Sequence, residues 1–210
     1  SLLIKDPSLN LPPPAQRYLA FVGAGGQRMK SLLDDLLGFL EVDSHTLQKQ
    51  RVDITAVAAE VRDDLALALE HSQGQIEFGH LPAAYGDASL LRIALQNLTA
   101  NALKFVAPGT RPVVKISAGI EESTLHIRVQ DNGIGIEEGQ LTKVFEMFKR
   151  LHSSKAYSGT GLGLSICRRI AELHGGQVSV TSQLGMGSCF TLSLPTTTQE
   201  RQVRSEHEFL

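Results

Sequence analysis

Apolar residues in this chain recur with two different periods, and the switches between them mark out its elements. Tyr18, Val22, Gly25, Met29, Leu32, Leu36 and Phe39 recur at alternating spacings of four and three. That heptad seam predicts a helix over about 15–42. Pro12-Pro13-Pro14 stand before it, and proline suits a first helical turn. Residues 1–14 read as irregular up to these prolines. Gly23, Gly25 and Gly26 weaken the helix unless a partner packs closely. Residues 43–53 are polar and read as a linker. Ile54, Val57, Val61, Leu65 and Leu69 then restore the helical period across 54–71. Ile76 and Phe78 alternate with polar neighbours in a short strand at 75–79, and Gly86-Asp87 opens a helix over 88–106.

A period of two takes over beyond that helix. Residues 113–119 and 124–130 form a hairpin across Glu121-Glu122-Ser123. Leu125, Ile127 and Val129 face one side of it, and His126, Arg128 and Gln130 face the other. Residues 177–182 and 188–194 pair across Gly185-Met186-Gly187. A loop-rich stretch at 132–158 and a helix at 161–174, closed by Gly175-Gly176, separate the hairpins. The economical architecture is an α/β domain: a mixed sheet with helices on one face, preceded by the long helix. The tail at 196–210 is polar and expected to be disordered.

Composition narrows the function classes. The 210 residues suit one large domain or two small ones. A net charge of -2 gives no footprint for nucleic acid or a membrane surface. No apolar run approaches the ~20 residues of a bilayer span. Cys167 and Cys189 lie in apolar patterns far apart, which suits buried thiols in a reducing cytoplasm. No His/Cys cluster has zinc spacing.

Four stretches carry the chemistry. On the helix at 88–106, Leu91, Leu95, Leu98 and Ala102 form the apolar stripe, while Asn97, Asn101 and Lys104 share a separate face at i, i+4, i+7. A carboxamide oxygen is a hard, neutral ligand for magnesium, which keeps phosphates and waters beside few protein ligands. Asn101 is the expected metal ligand, and Lys104 can reach a phosphate as a point charge. Asp131 ends a strand, where its carboxylate can accept from the amino group of adenine. Gly133, Ile134 and Gly135 then turn, with glycine letting the backbone approach the ring. Gly159, Thr160, Gly161, Leu162, Gly163 and Leu164 open a helix, where exposed amides and the helix dipole favour phosphate. Neither a Walker nor a Rossmann pattern fits this run.

The segment 137–158 is long for a connection and is expected to act as a mobile lid. Phe145 and Phe148 would anchor it. Lys149, Arg150, His152 and Lys155 cluster beside them, suited to neutralising a transferring phosphate. The bland alternatives are a solvated polar helix face, a plain turn, a glycine hinge and a solvated basic stretch. Order and spacing together favour one ATP site.

In that order, the asparagine box, the Asp-x-Gly-x-Gly box, the phenylalanine box and the Gly-Thr-Gly-Leu-Gly-Leu box resemble the catalytic ATP-binding domain of two-component sensor histidine kinases. The resemblance covers roughly 52–195, and the Gly185–Phe190 turn shares it. Gln27-Arg28-Met29 and Leu32–Leu37 resemble the second helix of the family's dimerisation and histidine-phosphotransfer domain. Leu81-Pro82, Gly86-Asp87 and Lys149-Arg150-Leu151-His152 are similar to the kinase modules that follow phytochrome photosensors.

The resemblance implies a sandwich of the Bergerat type shared by GHKL ATPases, with ATP and Mg2+ as cofactors. It divides the chain into a partial dimerisation region at 1–45, an ATP-binding domain at 52–195 and the tail. Asn97, Lys104, Lys149 and Arg150 would act on the phosphate. Asn97, Asn101, Lys104, Asp131, Gly133, Ile134, Gly135, Phe148, Arg150, residues 159–164 and Thr191 would bind ATP, with Thr191 supporting adenine through water. The implied partners are a second copy through 15–42, a response regulator receiver domain and an upstream sensor domain, photosensory where the phytochrome-linked resemblance holds.

One departure stands out. The family's His-Asp/Glu-x-x-x-Pro acceptor box does not occur here, and Ser1-Leu2-Leu3 resembles the end of a first hairpin helix. The chain is therefore expected to bind ATP without phosphorylating itself at the usual site. The other readings are a gyrase- or chaperone-like ATPase, an anti-sigma-type serine kinase and a degenerate scaffold. In the ATPases a glutamate four residues before the metal asparagine activates water. Here Asn97 holds that place and cannot act as a base.

Overall fold

A computed structural model of the chain describes residues 12–151, 157 and 159–196. The expected tail at 196–210 and the irregular start therefore lie almost wholly outside the described residues.

The first element, α1 (Pro13–Ser44), matches the heptad prediction and starts on proline as expected. Tyr18, Val22, Met29, Leu32 and Leu36 of its seam are exposed. The end of the seam has a partner within the chain. Phe39 packs against the domain core and Val42 is buried in it. Asp43 pairs with Arg169 at 2.7 Å.

The polar linker holds a short strand, β1 (Gln50–Val52). The helical stretch that follows breaks at Leu65 into α2 (Ile54–Asp64) and α3 (Ala66–Ser72). Asp53 caps α2 by accepting from the amides of Thr55 and Ala56. Next come β2 (Gln75–Phe78), β3 (Ala84–Gly86) and α4 (Ala88–Lys104). β1 pairs antiparallel with β3, away from the main sheet. Asp87 caps α4 through Oδ1 to the amides of Ser89 and Leu90.

The predicted hairpins form with longer strands: β4 (Val113–Glu121) with β5 (Thr124–Asp131), and β6 (Gln177–Gln183) with β7 (Gly187–Pro195). α5 (Gly163–Leu173) precedes the second, and Gly175, at φ 80°, closes it in the left-handed region. The main sheet runs β2-β4-β5-β7-β6, with β2 parallel to β4 and every other pair antiparallel.

Period-two alternation puts Val114, Ile116, Leu125, Ile127, Val129, Phe190 and Leu192 on the buried face. Leu91, Leu95 and Leu98 of α4, with Ile166 and Ile170 of α5, cover that face. Each fully buried leucine contributes about 1.5–3 kcal/mol of transfer free energy. The core thus fixes α4 and α5 over the sheet, with the polar face of α4 turned toward the start of α5. No described helix is long and apolar enough to cross a membrane.

Candidate functional site

A cavity of about 300 Å³ opens between α4, the start of α5 and the strand end at Asp131. Asn97, Asn101 and Lys104 line it from α4; Asp131, Ile134 and Gly135 from the turn; Lys149 and Arg150 from the long connection; Gly159, Thr160, Gly161, Gly163 and Leu164 from the glycine loop. The separate stretches read from the sequence therefore meet at one place.

Each wall has a local cause. The Nδ2 group of Asn97 donates to the carbonyl of Ile93 at 2.9 Å, which fixes the side chain against its own helix. Its Oδ1 then lies against Gly163, where an added Cβ would come within 2.6 Å of that oxygen. Asp131 Oδ1 accepts from the amides of Gly133 at 2.8 Å and Ser188 at 3.1 Å. Among the described residues nothing bonds its Oδ2, which leaves an acceptor at the strand end. Burial pushes the Asp131 carboxyl up, against the pull of those two amides. Burial pushes the Lys104 ammonium down, Arg150 adds to that, and Asp35 opposes it. Lys104 Nζ also sits 4.3 Å from the centre of the Phe105 ring.

The glycine loop is held from the side. The amide of Phe148, at φ 60°, donates to the carbonyl of Gly161 at 3.1 Å. Arg150 donates to the carbonyl of Tyr157, whose hydroxyl donates to the carbonyl of Val106. Of the two expected anchors, Phe145 is buried edge-on against Phe190 with ring centres 6.3 Å apart. Phe148 is 56% exposed and reaches the loop through its backbone. The segment 137–151 holds two short 3-10 turns, Glu138–Gln140 and Lys143–Phe145. His152, Lys155 and the rest of the expected lid beyond 151, Tyr157 apart, lie outside the described residues.

Four expected contacts fall elsewhere. Gly133 lies behind the wall and serves Asp131 through its amide. Leu162, the residue just before α5, is fully buried in the core. Phe148 points to solvent. Thr191 sits on the face of the sheet away from the helices, paired with Arg128 and Ser179. Its neighbours Ser188 and Phe190 line the cavity instead. A strand alternates faces, so an odd-numbered position on β7 cannot share a face with Phe190. The Gly-x-Gly-Ser spacing before Phe190 was the signal that could have selected Ser188. Asp35, on α1, also lines the cavity and was not foreseen.

Among the described residues no group of three or more His, Cys, Asp or Glu side chains could hold a metal ion. The cavity instead offers the carboxamides of Asn97 and Asn101, which suit a hard cation bound largely by phosphates and water.

Comparison with known proteins agrees with this geometry. The sequence profile of the histidine kinase-, DNA gyrase B- and HSP90-like ATPase family matches residues 86–198. The phytochrome-like protein Cph1 of Synechocystis sp. is 38% identical over 181 residues, covering 86% of this chain and 24% of that protein. The sensor-like histidine kinase SenX3 of Mycolicibacterium smegmatis is 34% identical over 191 residues, covering 88% of this chain and 49% of that protein. The chain thus spans a quarter to a half of these relatives. Full-length ShkA, solved in complex with AMPPNP, superposes with a TM-score of 0.69 at 26% identity, covering 93% of this chain and 42% of that one. By fold, site order and profile this chain belongs to the histidine kinase-, DNA gyrase B- and HSP90-like ATPase family, and within it the chain is similar to sensor histidine kinases.

Proposed function

We propose that this chain is the ATP-binding catalytic part of a sensor histidine kinase. It would transfer the γ-phosphate of ATP to a histidine, for relay to an aspartate on a response regulator. The observation that carries this is the convergence of Asp131, the α4 face and the glycine loop on one cavity. In this reading Asp131 Oδ2 accepts from the adenine amino group. Amides of residues 159–164 and Lys104 take the phosphates, and Arg150 and Lys149 balance charge at the transferring group. Asn101, with Asn97 beside it, would hold Mg2+, which neutralises phosphate charge when bound. Positioning and charge balance are what phosphoryl transfer chiefly needs.

Asn97 favours this over the gyrase- and chaperone-type reading. Its Nδ2 is committed to Ile93, and a carboxamide cannot deprotonate water. Two copies would associate through 15–42, with an upstream sensor domain setting the output and a cytoplasmic receiver domain taking the phosphate.

The test uses ATP labelled in the γ-phosphate. The chain alone should show slow hydrolysis and no acid-labile label. The same chain joined to a helix that carries the family's His-Asp/Glu-x-x-x-Pro box should gain that label. Rapid hydrolysis without any transfer in both would support the ATPase reading instead.

A further inference from the structure

The ATP reading leaves one charged residue of the cavity wall without a role. Asp35 comes from α1, yet its half-buried carboxylate lines the cavity. Thr160, in the glycine loop, donates its hydroxyl to Asp35 Oδ2. Asp35 also lies close enough to Lys104 to favour its charged form, against burial and Arg150. Among the described residues, Asp131 is the one other carboxylate that lines the cavity. Asp131 is occupied at the far end by the amides of Gly133 and Ser188.

The helix that carries Asp35 is seated on the sandwich. Phe39 and Val42 pack on the core, and Asp43 pairs with Arg169. Ser31, Asp35, Phe39 and Val42 recur at helical spacing and are among the less exposed positions of this half of α1. One face of α1 thus delivers an anion to the groups that a nucleotide's phosphates would need.

We propose that Asp35 competes with nucleotide phosphate for Thr160 and Lys104, so that docking of α1 and occupancy of the cavity exclude each other. The inference rests on the ATP reading above. A triphosphate brings several negative charges to Lys104, Arg150 and the loop amides. A carboxylate held beside them in a half-buried site is repelled more strongly than in bulk water. Thr160 has one hydroxyl proton, which can go to Asp35 or to a phosphate oxygen but not to both. Binding must therefore displace Asp35 and loosen α1, and by linkage anything that holds α1 away tightens nucleotide binding by the same factor. The long helix and the nucleotide site form one thermodynamic unit.

Calorimetry with ATP, in Mg2+ and again in EDTA, tests this on the whole chain. Asp35→Asn keeps the side chain's shape and removes its charge. It should tighten ATP by about five-fold or more under both conditions. Asp34→Asn removes the same charge one position away, where the carboxylate pairs with Lys30 at 2.7 Å on the exposed side. It should leave ATP affinity unchanged. Equal affinity of wild type and Asp35→Asn overturns the proposal, as does equal tightening by Asp34→Asn. Weakening of Asp35→Asn only in Mg2+ would make Asp35 a metal ligand instead. In wild type, ATP should speed amide exchange over 31–39; unchanged or slower exchange also overturns it. If wild type and both variants bind no adenine nucleotide, the ATP reading fails and this inference with it.

Discussion

The backbone amide of Asp87 donates to Nε2 of His174 at 2.9 Å, and Nδ1 of the same ring donates to the carbonyl of Ile170 at 2.8 Å. With one ring nitrogen accepting and the other donating, the buried imidazole is neutral. Burial pushes its pKa down, and nearby Lys49 adds to this, against the Ile170 carbonyl and Asp87. Burial also works against the charge of Asp87, yet hydrogen bonds from Ser89, Gln48, His45 and Leu90 outweigh it and hold this carboxyl well below the usual range. The pair ties the capping residue of α4 to the end of α5, so the two helices that frame the cavity share one buried joint.

This joint sets an acid limit on stability. The unfolded chain takes up a proton on His174 below about pH 6.5, while the folded chain does not. Stability should therefore be full above that pH and fall as pH drops through it, by up to about 1.4 kcal/mol per pH unit from this group. The low folded pKa of Asp87 places its own loss in stronger acid. His174→Gln should be less stable at pH 8 and should show a flatter loss between pH 7 and 5.5 in urea titrations. An unchanged slope would assign the acid sensitivity elsewhere.

Asp131→Asn separates binding from folding. Asparagine keeps an Oδ1 for the amides of Gly133 and Ser188 but cannot present a charged acceptor to adenine. ATP affinity should fall by roughly 1.5–3 kcal/mol, about ten-fold or more. Because burial raises this carboxyl's pKa, its charge costs the empty fold at neutral pH. Removing it should leave the melting temperature unchanged or higher. A lowered melting temperature with intact affinity would make Asp131 a structural residue only.

Gly135 should tolerate no side chain. Its φ is 68°, and an added Cβ would lie 2.0 Å from the carbonyl oxygen of Gln183. Gly135→Ala therefore combines left-handed strain with a backbone clash and should cost about 2 kcal/mol or more. It should also weaken nucleotide binding, because the turn lines the cavity. Gly26→Ala on α1, with nothing within 4 Å of the new Cβ, should not destabilise the chain. Urea midpoints for the two variants are the measurement.

The seam of α1 should drive association. Tyr18, Val22, Met29 and Leu32 are exposed, with Met29 at 63%. A stripe of that length favours burial against a second copy. Leu32→Glu combined with Leu36→Glu should give a monomer by light scattering that still binds ATP. Equal masses for wild type and the double variant would show that the seam is not the interface.

Short periods in the chain set its local structure. The i, i+4, i+7 spacing of Asn97, Asn101 and Lys104 puts them on one helix face whatever surrounds it. Alternation along Thr124–Asp131 likewise sends Leu125, Ile127 and Val129 to one side. The proline start of α1 and the Gly175 stop of α5 are local backbone rules of the same kind. Which residues meet across distance depends on how the elements pack. The pairing of β1 with β3 joins two three-residue strands too short to leave a pattern. Thr191 and Ser188 are both plausible hydroxyls until the register of β7 sets which face looks at the helices, and a slip of one position would exchange them. Phe39 fits a heptad seam and a core contact equally well, and the packing of α1 on α5 chose the core. Asp35 carries no local sign at all. Its place in the cavity depends on how a helix more than a hundred residues away in sequence lies against the glycine loop, which no local spacing encodes.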